Sequence, residues 1–143
     1  MRRWRSRSVG EPEAIGAELA KELLPDRCLL LFADLGAGKT ALTRGVAAGL
    51  GIAPEEIQSP TFTLLREHRA GSTELLHLDL YRLTASEVES AGFEERLLSP
   101  GVKVVEWAER LPFAVPGALA LGIRRLGEGD REIVELGVSE PET

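Results

Sequence analysis

The chain has 143 residues, 43% of them hydrophobic and 28% charged, with a formal net charge of −6 at pH 7. That length suits one domain with a real core, and the acidic balance argues against a stand-alone nucleic-acid binder, which needs clustered Lys and Arg. One cysteine, Cys28, rules out an internal disulfide and fits a reduced, cytoplasmic setting, while no apolar stretch nears the ~20 residues that cross a bilayer.

The basic start MRRWRSR runs into GEPEA, where a signal peptide would carry its apolar region. Residues 1–10 read as a loose, solvated tail, with an Arg-rich arm touching RNA as the sharper alternative. Residues 11–143 read as a single domain. EPEAIGAELAKELL places Ile15, Leu19 and Leu23 on one helical face, with Pro12 tolerated in the first turn and Pro25 ending the helix. CLLLFA, residues 28–33, is a short continuous apolar run, as in a strand buried on both faces. A Gly-rich turn follows, and KTALTRGVAAGL then reads as a helix with Leu42, Val46 and Leu50 on one side.

After the polar loop IAPEEIQSP, the runs TFTLLREHR and TELLHLDLY flank Ala70-Gly71-Ser72 as an antiparallel hairpin. Ser86-x-x-Glu89 predicts a capping box for a short helix. VKVVEW is a β-rich run, and ALALGIRRL pairs with REIVELGV around Gly127 to Asp130 as a second hairpin. Together these predict an α/β fold of the P-loop NTPase type, with three layers and a mixed sheet, parallel near the Gly-rich turn.

Strand, then ADLGAGKT, then helix is the setting a P-loop requires. Gly36 and Gly38 let successive N–H groups converge on phosphate oxygens, and the helix N-terminus adds partial positive charge. Lys39 can reach β- and γ-phosphates, and the Thr40 hydroxyl can ligate Mg²⁺. Ala33 stands where the usual pattern has its first glycine; at the end of a strand a methyl group is tolerable. A chance Gly-rich turn is the competing reading, and the flanking elements weigh against it.

Mg²⁺ usually takes one or two carboxylates beside the phosphates. Asp79 closes LLHLDL and Glu106 closes VKVVEW, and ligands of α/β sheets bind beyond the carboxyl ends of strands. Each alone could be a solvated strand-end acid; together with the Gly-rich loop they favour a metal. Ser59 to Thr63 occupies the place of a switch loop or of an ordinary turn. Trp107 is either core or a ring beside a nucleotide. His68 and His77 lack partners at metal-ligand or triad spacing and receive no role.

ADLGAGKTALTRG, SPTFTLLREH, HLDLYRL and VVEWAERL, in this order, resemble the bacterial TsaE (YjeE) family, from about Ile15 to Glu135. The resemblance implies an ATPase needed to make threonylcarbamoyladenosine at position 37 of tRNA, acting with TsaD and TsaB and meeting tRNA through that complex. It implies that Leu35, Gly36, Ala37, Gly38, Lys39 and Thr40 wrap the ATP phosphates, with Thr40 and Glu106 as Mg²⁺ ligands. Asp79 matches the Walker B-like acid, Thr61 the switch-loop threonine, and Trp107 the tryptophan after the metal-binding glutamate. Arg131 lies near a basic residue of the family's last hairpin. Pro12 replaces a common threonine, so an adenine contact through that side chain is lost.

The sequence offers no assured arginine finger; Arg82 is a candidate, with a structural ion pair as its plainer reading, so slow turnover of the isolated chain is expected. A small-molecule kinase would need an acceptor pocket with a lid, for which no insertion stands out. A non-hydrolytic, ATP-gated binding module is a third reading. A GTPase is disfavoured by the lack of an N-K-x-D stretch.

Overall fold

The computed structural model describes residues 2–8, 10–33, 39–57, 65–127 and 129–138. Its seven strands are β1 (Arg3–Ser6), β2 (Cys28–Ala33), β3 (Leu65–Ala70), β4 (Thr73–Asp79), β5 (Val102–Glu106), β6 (Leu119–Gly127) and β7 (Asp130–Val138). They form one sheet in the order β1-β7-β6-β2-β5-β4-β3. The centre is parallel, with β2 between β6 and β5 and β4 beyond β5, and the outer pairs β6–β7, β7–β1 and β4–β3 are antiparallel. This is the mixed α/β sheet that the sequence predicts.

Helices cover both faces. α1 (Glu11–Leu23) and α2 (Lys39–Gly49) pack on one face, against Leu29, Leu31, Leu75, Val102, Val104, Leu119 and Leu121. α3 (Ala85–Ser90) and α4 (Phe93–Leu97) lie on the other, where Val88 and Leu97 meet Leu30, Leu76, Leu78 and Val105. Alternation along β2, β4 and β5 therefore feeds two cores, which explains their nearly continuous apolar sequence. Each fully buried leucine there contributes about 1.5–3 kcal/mol.

Two expectations are corrected. Residues 3–6 are not a loose tail: they form an edge strand in register with β7, Arg3 opposite Val134 and Ser6 opposite Arg131. Trp4 packs onto the α1–α2 core and Ser6 is buried, while Arg2 bridges Glu22 at 2.5 Å and Glu135 at 2.6 Å. The capping box of α3 belongs to Thr84 and Glu87, not to Ser86 and Glu89. With the cap at Thr84, the amide of Val88 bonds to the Thr84 carbonyl at 3.0 Å, closing the turn that buries Val88. A start at Ser86 would forfeit that turn.

Cys28 is 3% exposed on β2, and burial pushes its thiol up to about 12. At pH 8 the thiolate is then on the order of 10³ times scarcer than for a free thiol. A disulfide-exchange reagent should leave the native chain unlabelled over minutes and label one thiol per chain once it is unfolded; fast labelling of the native form would contradict the burial.

Candidate active site

The parallel pair β4–β5 sets Asp79 directly opposite Glu106, and β5–β2 sets Glu106 opposite Leu31. Register partners share a face, and both acids lie an even number of residues beyond core positions of the α1–α2 side, Asp79 four beyond Leu75 and Glu106 two beyond Val104. The two carboxylates thus occupy one face at the carboxyl ends of neighbouring strands. α2, whose first residue is Lys39, packs on that same face.

Lys39 is 7% exposed, and its Nζ lies 4.0 Å from the centroid of the Trp107 ring. Such cation–π contacts contribute about 0.5–2 kcal/mol. Trp107 is held at φ 60°, the left-handed region, where a bulky residue is strained by about 1–3 kcal/mol. That conformation turns the chain from β5 into the short helical turn Ala108–Arg110 and brings the indole against Tyr81, 5.0 Å between centroids. Arg110, tied to the Leu83 carbonyl at 2.8 Å, approaches the same indole at 5.6 Å.

Asp79 Oδ1 accepts the Tyr81 amide at 2.9 Å. Burial chiefly, together with the charge of Glu106, raises the Asp79 carboxyl above the usual range; the Tyr81 amide, His77 and Lys39 offset this only in part. Glu106 is 2% exposed, and its Oε2 is hydrogen-bonded to Nε2 of His77. Among the described residues no cluster of three or more His, Cys, Asp and Glu side chains is placed to hold a metal alone. Two mutually repelling carboxylates instead suit a cation that takes its other ligands from phosphate and a hydroxyl.

The structure therefore gathers Lys39, Asp79, Glu106 and Trp107, with Thr40 next on α2. It also brings in His77, to which the sequence assigned no part. Its signal was the His77-x-Asp79 spacing, which puts both side chains on one face of a strand. Arg131 lies on the same face and at the same end of the sheet but across β6 from β2, and its Nε is buried without an acceptor among the described residues. Arg82 is exposed and forms none of the ion pairs among the described residues. Leu35, Gly36, Ala37, Gly38 and Thr61, with the rest of residues 34–38 and 58–64, lie outside the described residues. A cavity of about 300 Å³ bordered by Glu74, Arg96 and Lys103 sits at the amino ends of β4 and β5, away from this cluster.

Fold and acid pair together define the class: an α/β protein of P-loop NTPase-like, three-layer architecture. A crystal structure of Bacillus subtilis YdiB superposes with a TM-score of 0.72 at 36% identity, covering 94% of this chain and 83% of that one. The family model described as threonylcarbamoyl adenosine biosynthesis protein TsaE matches residues 6–133, and the chain belongs to the TsaE family. The Bacillus subtilis tRNA threonylcarbamoyladenosine biosynthesis protein TsaE is 40% identical over 132 residues, 92% of this chain and 82% of the relative. Its Synechocystis counterpart is 48% identical over 101 residues, 68% of this chain and 64% of the relative.

Proposed function

We propose that this chain is a Mg²⁺-dependent ATPase serving the formation of threonylcarbamoyladenosine at position 37 of tRNA, acting with the TsaD–TsaB pair and meeting tRNA through it. The observation that supports this most is the in-register pairing of Asp79 and Glu106 on the sheet face that carries Lys39. Backbone N–H groups of residues 35–38 and the Lys39 ammonium would bind the phosphates. Thr40 and Glu106 would hold Mg²⁺, which when bound offsets phosphate charge. Asp79, half-buried with one oxygen on the Tyr81 amide, would orient the attacking water. Its raised proton affinity suits that contact. Trp107 would present its ring beside the nucleotide.

Among the described residues, Lys39 and Arg110 are the cations in contact with the Trp107 ring, and Arg110 is already bonded to a backbone carbonyl. Turnover by the chain alone should therefore be slow, and the partner complex should raise it. Phosphate release from ATP, measured with and without TsaD–TsaB and tRNA, should rise at least tenfold with the pair present. Full-rate hydrolysis by the isolated chain would overturn the coupled reading. ADP formation that needs a small acceptor and releases no phosphate would favour a kinase.

A further inference from the structure

His77 sits on β4 two residues before Asp79, with its side chain fully buried, on the sheet face of Leu75 and Val104. Leucine and valine fill the neighbouring inward positions, and either would satisfy packing at this one. A histidine instead brings two ring nitrogens that need partners. Nε2 meets Oε2 of Glu106; Nδ1 is buried and has no partner among the described residues. An orphaned buried polar atom costs about 1–3 kcal/mol, so packing alone disfavours histidine here. An ionised carboxylate only accepts hydrogen bonds, which places the shared proton on Nε2 and makes the histidine the donor.

From this geometry we infer that His77 is a positioning residue: its Nε2–H fixes the Glu106 carboxylate in the orientation that takes the divalent cation. The inference rests on the functional reading above and adds to it the group that sets metal affinity. The bond occupies Oε2, while Oε1 takes no hydrogen bond among the described residues. Without the donor, a nearly buried carboxylate beside Asp79 can rotate away from the orientation that takes a cation, which lowers its affinity for one. Removing an outer partner of a metal-binding carboxylate typically weakens metal binding 10–100-fold.

Free Mn²⁺, followed by electron paramagnetic resonance during titration of the full chain with ATP, reads the effect directly. His77→Gln extends an amide N–H to roughly the Nε2 position; His77→Asn falls short of it, and His77→Leu removes the donor while keeping apolar volume. The Asn and Leu variants should bind Mn²⁺ 10–100-fold more weakly, and Gln should stay within threefold of the parent. ATP affinity in EDTA should be similar for all folded variants. Equal losses in Gln, Asn and Leu, or no loss in Asn and Leu, would overturn the inference. If Glu106→Gln abolishes the Mn²⁺ response and neither donor-less variant changes it, this inference fails alone; if the parent binds ATP identically with and without Mn²⁺, the functional reading fails and takes this one with it.

Discussion

Lys39→Ala should weaken ATP binding by roughly 100-fold or more in a calorimetric or fluorescence titration, while leaving the chain folded. The argument is electrostatic. A lysine at this position makes charge-assisted hydrogen bonds to phosphate oxygens, each contributing about 1.5–3 kcal/mol, and every 1.4 kcal/mol is about tenfold in affinity. Among the described residues, Arg110 is committed to the Leu83 carbonyl and His77 to Glu106. The fold should tolerate the change, because a single cation–π contact such as that with Trp107, at 4.0 Å, is worth about 1 kcal/mol, a small part of a domain's stability. Wild-type affinity in the variant would refute the phosphate-binding assignment. Loss of the folded state would instead show that the lysine is chiefly a structural partner of the indole.

How much of this was legible in the sequence depended on how local the determinants were. α2 and β2 announce themselves, the first by the spacing of Leu42 and Val46, the second by an apolar run that two cores require. Both hairpins were marked by glycines with positive φ, Gly71 at 61° and Gly129 at 76°. The strand-end positions of Asp79 and Glu106 followed from the runs they close, and their convergence needed only that β4 and β5 be parallel neighbours. What was missed depends on distant pairing. β1 shows the right alternation, with Trp4 and Ser6 inward and Arg3 and Arg5 outward, but a four-residue segment becomes a strand only because β7 offers an edge. α4 is five residues long and begins after Gly92 in the left-handed region, so it carries no periodicity of its own. His77 finds its partner 29 residues away on another strand, outside any ligand or triad spacing that a linear reading tests.

Gly45→Ala should lower the melting temperature by about 10 °C, although alanine ordinarily favours a helix over glycine by about 1 kcal/mol. The sign reverses because α1 and α2 touch backbone to backbone. A Cβ on Gly45 would fall on the carbonyl oxygen of Glu13 and come within 2.7 Å of its carbonyl carbon; one on Gly16 would meet the Leu42 carbonyl and lie 2.9 Å from Val46 N. Neither obstacle is a side chain that can rotate away, so the helices must separate, at about 1–3 kcal/mol or more for an overfilled contact. The consequence reaches the site, since α2 begins at Lys39: a displaced helix shifts the ammonium away from Trp107 and the two acids. Gly45→Ala should accordingly weaken ATP binding even at temperatures where the variant is folded, whereas Gly127→Ala, with open space around its Cβ, should change stability by less than about 0.5 kcal/mol. Thermal melts and ATP titrations on the same two variants separate these effects. A Gly45→Ala chain as stable as the parent would mean that α1 and α2 are not in backbone contact at Gly45, and the link from helix packing to lysine placement would go with it.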